Sequence, residues 1–497
     1  MIHYKIANHL LPQEFINMRY KLLILFLVLN YHFGQCQIFD KETIKNSGDN
    51  DKRINLVILS DGYQTSELND FKTDAISFVN DMFSQSPFSE YTDYFNVHIV
   101  KVPSTESGAD HPGTSINPFE SPSSPITPIH SVNTYFNSTF DSYGYHRLLY
   151  YEIDGNSANG THAKITSVLA DNFPTYDQTL ILVNSDVYGG SGGEFPMASQ
   201  GVENGISATE VAIHELGHSF ANLKDEYFPL DEIYFEEGIN MTQVSSPSLI
   251  KWKNWLGENQ TGIYQYNTSG FAANWYRPHQ SCKMRYLGYP FCSVCKEGII
   301  EKIHSLISPI DSYLPVSNTI NTSTYPINFQ LNLIKPIPNT LKSTWTLNAT
   351  NFKNDVDALS IIETDLNAGT NDLTVVVHDD SHMLKIDNHE TTHVYTVTWT
   401  ITKSALGIDD ITSEENNFNI SLFPNPTNNI LNLKVESKNT VNLKVDIISL
   451  DGKKIKSTKI SNYENNEVDI SHLSQGLYLA NFYSNHILIT SKRFVKN

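Results

Sequence analysis

The sequence predicts a multidomain chain, an α/β domain followed by two all-β domains. Three observations carry this. Between residues 54 and 185, short continuous apolar runs alternate with a segment of helical period. From about residue 306 the apolar residues recur at every second position instead. An acidic, polar stretch at 404–417 then separates this region from a last segment with an Asp-Gly turn between strand-like runs. Helical and strand periods bury different faces, so a lasting change of period marks a change of layer architecture. With 497 residues, several cores fit. The net charge of −20 argues against nucleic acid, whose binding needs a basic face.

Residues 1–37 read as an export signal. Arg19 and Lys21 precede "LLILFLVL" (22–29), an apolar run far short of the roughly 20 residues that span a bilayer. Met18 is the expected true start, with cleavage near "GQCQ" (34–37). No membrane span is expected in the mature protein.

The first domain is expected over 38–305. "INLVILS" (54–60) reads as a buried strand. Phe71, Ala75, Phe78, Val79 and Met82 then recur at helical spacing. "FNVHIVKV" (95–102) and "TLILVNS" (179–185) supply two more strands, so crossover connections are expected. Residues 103–130, rich in Pro, Ser and Gly, read as a long surface loop, and "YGGSGGEFP" (188–196) as a glycine-rich rim or connection. If Cys36 leaves with the signal, Cys282, Cys292 and Cys295 remain; in an exported protein one disulfide and one thiol is the simple reading. A metal held by "CSVC" (292–295) would want four ligands.

A β-sandwich is expected over 306–404. Ile327, Phe329, Leu331 and Leu333 alternate with polar residues, as do Tyr395, Val397, Trp399 and Ile401. The His- and Asp-rich "VVVHDDSHMLKIDNHE" (375–390) reads as loops and turns. Residues 405–417 are a linker, and 418–497 a small all-β domain in which Asp451-Gly452 closes a hairpin.

The chemistry is concentrated in "SATEVAIHELGHSFANLKDEY" (207–227). Ser207 and Glu210 fit a capping box, so a helix should start there. Val211, Ala212, Leu216, Phe220 and Leu223 give it an apolar face. His214 and His218, four apart, share one side of that helix and suit a single zinc ion; Glu215 is placed to act as general base. Gly217 leaves room beside the metal. A catalytic zinc takes three protein ligands and water. Asp225 is the expected third ligand, with Glu226 and His279 as alternatives. It stands eleven residues after His214, one more than in the metzincin pattern, and Ala221 holds the place of the usual glycine. Asn222 can supply the left-handed turn instead. Downstream, Met284 is a candidate for a methionine turn beneath the metal, and Tyr286 for a donor to a developing oxyanion.

Four segments, "LVILSDGYQTSE" (56–67), "FNVHIVKVPSTESGADHP" (95–112), "HELGHSFANLKDEY" (214–227) and "CKMRYLG" (282–288), together resemble the IgA-peptidase family of metallopeptidases, a metzincin-like group. The resemblance covers roughly 38–305. It implies a zinc endopeptidase with His214, His218 and Asp225 as ligands and Glu215 as catalytic base; immunoglobulin as substrate is not implied. "LFPNPTNN", "LDGKKI" and "LSQGLYLANF" resemble the sorting domain of the type IX secretion system of Bacteroidetes. That implies passage through the secretion machinery to the surface or exterior, with removal of the domain on the way. The middle sandwich is immunoglobulin-like. The expectation is therefore a metzincin-like zinc peptidase domain, an immunoglobulin-like sandwich and a sorting domain, acting on protein or peptide substrates. The rival is a surface adhesion or glycan-binding protein with a structural or vestigial zinc site; Glu215 favours catalysis, since a structural site needs no carboxylate there. A zinc amidase of cell-wall peptides would share the chemistry but not the methionine turn.

Overall fold

A computed structural model describes residues 37–115, 129, 131–151, 160–228, 235–387, 389–403, 419–436, 442–461, 466–484 and 487–497. The segment read as an export signal, up to and including Cys36, the expected linker 405–417 and most of 116–130 lie outside the described residues. The chain divides into two compact units, 1–403 and 404–497.

The first unit is built on a six-stranded sheet. Its strands are β1 (Asp40–Lys45), β2 (Ile54–Asp61), β3 (Phe95–Lys101), β4 (Gln178–Val183), β5 (Gly190–Ser191) and β6 (Met197–Ala198), in the order β1-β3-β2-β4-β6-β5. β3, β2, β4 and β6 run parallel, while β1 and β5 close the edges antiparallel. Parallel strands need crossovers, which lay helices on the faces and bury both sides. Accordingly every residue of β2, β3 and β4 is buried. Leu56, Ile58, Val97, Ile99, Leu180 and Leu182 face one core. Val57, Leu59, Val100, Ile181 and Val183 face another. Helix α1 (Leu68–Phe83) buries the five apolar residues of its sequence stripe in the first core. α2 (Thr161–Asn172) packs Ile165, Val168 and Leu169 into the second. α3 (Ala208–Ala221) and α4 (Ser293–Leu306) complete the first.

The described part of the expected surface loop departs from that expectation. Ser104, Ala109 and His111 are buried. The cause is Asp61 at the end of β2. Its buried carboxylate accepts from the Phe136 N–H at 2.8 Å, Thr134 Oγ1 at 3.0 Å, Ser104 Oγ at 3.2 Å and Ser138. A buried charge of this kind needs such donors, and here they clamp two connections to the strand end.

Residues beyond α4 form two facing sheets. One contains β7 (Ile310–Leu314), β9 (Ile327–Leu333) and β12 (Ala358–Ile361). The other contains β8 (Thr319–Thr322), β10 (Leu341–Leu347), β11 (Thr350–Asn354), β13 (Gly369–Asp379) and β14 (Tyr395–Lys403). Phe329, Leu331, Val397, Trp399 and Ile401 point inward as their alternation requires. Trp345 and Trp399 stack there, 5.8 Å between ring centroids. One pair, β8 with β14, is parallel rather than antiparallel.

The His- and Asp-rich stretch is not all exposed turn. Asp379, at the end of β13, is buried and accepts from Tyr91 Oη at 2.6 Å, Thr340 Oγ1 at 2.6 Å and His304 Nε2 at 2.9 Å. His389 meets Glu301 of α4. Burial pushes the Asp379 and Glu301 carboxyls up, but the hydrogen bonds from His304 to the first and His389 to the second outweigh it and hold both below their ordinary 3.8 and 4.5. Both therefore contribute stability above those ordinary values that is lost as pH falls through the lower folded ones. The thermal midpoint of the first unit is expected to drop as pH is lowered past about 4. Asp379→Ala is expected to cost about 3–5 kcal/mol at pH 7 and to weaken that acid dependence. Calorimetry of both chains between pH 7 and 3 checks this.

The second unit is all β. One sheet joins β15 (Asn419–Phe423), β16 (Ile430–Glu436) and β19 (Asn466–Asp469). The other joins β17 (Asn442–Ser449), β18 (Lys454–Ser461), β20 (Gly476–Ser484) and β21 (Ile487–Lys496) in the order β18-β17-β20-β21. The Asp451-Gly452 turn forms as expected between β17 and β18, with Gly452 at φ 80°.

Candidate metal centre

α3 carries the motif and begins where expected. Ser207 is its N-cap, accepting from the Thr209 N–H at 3.2 Å. The reciprocal half of the capping box is absent. Glu210 turns instead to Lys283, Gln85 Nε2 (2.7 Å) and the Gly288 N–H (2.9 Å). Burial pushes its carboxyl up, but Lys283, with Gln85 and the Gly288 N–H, more than offsets this. The buried Lys283 is thereby tied to the start of α3. At the other end Asn222 adopts the left-handed conformation (φ 51°, ψ 32°), and the Asn222 and Leu223 N–H groups close on the His218 and Gly217 carbonyls. This helix stop turns the chain back so that Asp225 comes under the histidines.

His214 Nδ1–H donates to the Lys283 carbonyl at 3.0 Å, and His218 Nδ1–H to the Leu223 carbonyl at 2.6 Å. A carbonyl only accepts, so each Nδ1 carries the hydrogen and each Nε2 keeps a lone pair for another partner. Asp225 Oδ1 lies 3.1 Å from both Nε2 atoms. Three electron-pair donors thus converge on one point, an arrangement that needs a cation or protons between them. The electrostatics say the same. Burial disfavours a charged His218, yet Asp225 outweighs it and pushes the imidazole up to about 9. Two imidazoles and a carboxylate form a donor set that zinc accepts. Glu215 sits alongside, Oε2 4.0 Å from His218 Nε2; burial pushes its carboxyl up against the pull of both histidines.

Met284 lies beneath α3, fully buried. Gly217 makes this possible: a Cβ there would come within 2.8 Å of Met284 Sδ. Gly217 therefore makes room for Met284 and the turn that carries it. That turn holds the site from below, through the Lys283 carbonyl on His214 and the Met284 carbonyl, which accepts the Glu226 N–H at 2.7 Å. Above, a cleft of about 330 Å³ opens on the centre, lined by His214, Glu215, Tyr188, Gly189, Gly190 and Tyr227 among others. The glycine-rich segment does border this cleft, and Gly192 is pressed on Glu215: a Cβ there would lie 2.2 Å from Glu215 Oε2.

Not every candidate joins the centre. Tyr286 is 46% exposed, stands outside the cleft lining and faces Arg285 and Tyr289. Tyr227, two residues after Asp225, lines the cleft instead and was missed; its place in the same turn was the available signal. His279 accepts from the Ser281 N–H at 2.9 Å and is not grouped with the histidines. Glu226 points away, toward Cys282, Cys292 and Cys295. The three cysteines are free, so the expected disulfide does not form.

The molecule is thus an α/β layer whose helix presents two histidines and a glutamate at a cleft, with an all-β segment at the end of the chain. Residues 43–274 match the model of the IgA Peptidase M64 family, and residues 421–497 that of the secretion system C-terminal sorting domain. The first match is thus to a family of peptidases, and the second indicates type IX secretion to the cell surface or beyond. No described helix is long and apolar enough to cross a membrane. No curated protein matches. Among solved structures, dimeric latent PorU from Porphyromonas gingivalis is 11% identical, over 38% of this chain and 20% of that one, at a TM-score of 0.17. Fibronectin(III)-like modules of Clostridium thermocellum CbhA are 14% identical, over 38% and 91%, at a TM-score of 0.15. The Bacteroides ovatus glucan-locus protein SGBP-B is 11% identical, over 37% and 47%, also at 0.15. Likenesses this slight carry no argument, and the chain spans only a fifth of PorU.

Proposed function

We propose that this protein is an exported zinc endopeptidase of metzincin-like design, with residues 38–305 as its peptidase domain, 306–404 as an immunoglobulin-like sandwich and 418–497 as a sorting domain. The observation that carries the reading is the convergence of His214 Nε2, His218 Nε2 and Asp225 Oδ1 beside the Glu215 carboxylate. His214, His218 and Asp225 would hold the zinc ion, which would supply Lewis acidity toward a peptide carbonyl and bring the pKa of water toward about 7. Glu215 takes the proton of the attacking water and passes it to the leaving amine. Lys283 and Leu223 hold the two rings through their carbonyls, and Met284 supports the helix from beneath. Tyr227 is the better-placed donor for a developing oxyanion, since it lines the cleft and Tyr286 does not.

Two outcomes are expected. The full-length chain should cut internal bonds of an unfolded protein, seen as fragments by mass spectrometry, and a chelator should stop it; cleavage that persists without metal would sink the reading. Gly192→Ala should leave metal content unchanged yet slow turnover about 100-fold, because the added Cβ displaces the Glu215 carboxylate. Steady-state kcat with metal analysis checks this.

A further inference from the structure

Behind the histidine centre lies a second group of donors. Glu226, Cys282, Cys292 and Cys295 are all buried, and their four ligand atoms lie within 4.8 Å of one another. We propose that these residues bind a structural zinc ion that fixes the third ligand and the methionine turn of the neighbouring centre.

The geometry suits a tetrahedral site. Zinc–sulfur bonds of about 2.3 Å place two sulfurs roughly 3.7 Å apart. Cys282 Sγ and Cys295 Sγ are 3.6 Å apart. Glu226 Oε1 is 3.1 Å from Cys295 Sγ and 3.7 Å from Cys292 Sγ, against roughly 3.5 Å expected from a zinc–oxygen bond of about 2.0 Å. The Cys292 N–H already donates to Cys282 Sγ at 3.3 Å, a contact that stabilises a thiolate more than a thiol.

Burial argues for an ion as well. Glu226 is fully buried, and its Oε2 has no hydrogen-bond partner. Asn240 Nδ2 donates to its Oε1 at 3.2 Å, but a carboxylate placed among three thiols still costs several kcal/mol unless a cation or a proton neutralises it. The three cysteines are no more than 6% exposed, so no position is left open for substrate, as befits a structural site.

The sequence positions say what such an ion would do. Glu226 follows Asp225. Cys282 stands one residue before Lys283, whose carbonyl orients His214, and two before Met284. Cys292 is the N-cap of α4, and Cys295 lies in its first turn. One ion would therefore pin three segments: the turn after α3 and, more than 50 residues on, the methionine turn and the start of α4.

The test separates this site from the histidine centre. The full-length His214→Ala/His218→Ala chain, prepared with zinc, is analysed for metal, intact mass and thiol reactivity. About one zinc ion per chain is expected to stay bound, with the three core thiols reacting only after denaturation with a chelator. Replacing that zinc by cobalt should produce a thiolate-to-metal charge-transfer absorption. Adding Glu226→Gln should weaken retention at least about 10-fold. That second variant keeps the proposal falsifiable should cysteine variants fail to fold. A chain without metal, iron in place of zinc, or a mass lower by two hydrogens from a disulfide would each overturn the proposal. Because the histidines are absent from this chain, its result is independent of the peptidase reading.

Discussion

Glu215→Gln is expected to lower kcat about 1,000-fold while zinc content and thermal stability stay at the parent's level. That factor corresponds to about 4 kcal/mol of transition-state stabilisation and lies within the usual range for loss of a positioned general base. The amide matches the carboxylate in shape, so packing between α3 and Gly192 is kept. The side chain belongs to none of the three converging donors, so metal retention should not suffer. The measurement is the rate on an unfolded protein substrate with metal analysis of the same sample. Loss of rate together with loss of metal would instead make Glu215 a structural member of the site.

Asp225→Ala is the second large effect. It removes one of three donors and the negative charge that draws a cation between the imidazoles. Zinc affinity is expected to fall at least about 100-fold, since even outer partners of metal ligands cost 10- to 100-fold. Under a fixed excess of zinc, a 100-fold weaker site forfeits about 2.7 kcal/mol of ligand-linked stability. Thermal unfolding with and without added zinc therefore distinguishes the variant: the parent should gain in midpoint and Asp225→Ala should gain far less. An equal gain would move the third-ligand role elsewhere.

The central helix and its histidines were legible because local rules decide them. A Ser cap, an apolar stripe and histidines four residues apart need no tertiary information. Asn222 likewise carried the turn toward Asp225, since asparagine tolerates the left-handed region. What escaped depends on partners far along the chain. Glu210 left its capping role because Lys283, 73 residues on, claims its carboxylate inside the fold. Glu226 read as an alternative third ligand, yet the fold carries it to cysteines 66 and 69 residues away. Gly217 was read as space for a metal but gives space to Met284. Helix α4 went unnoticed because its first turn was weighed for cysteine chemistry and not for the Ile299, Ile300 and Ile303 stripe it buries. The sandwich strands were plain from their alternation. Asp379 and its ties to Tyr91 and His304 were not, because a His- and Asp-rich segment resembles a solvated turn unless its partners are known.

The most direct test of the zinc-peptidase account is a zinc titration of the metal-free full-length chain, following bound metal and initial cleavage rate together. The account predicts that the rate rises from zero as His214, His218 and Asp225 are filled and levels off when they are full. The same titration of Glu215→Gln should fill without a rise. A rate that does not depend on zinc, or a parent chain that fills and never cuts any unfolded protein, would contradict it.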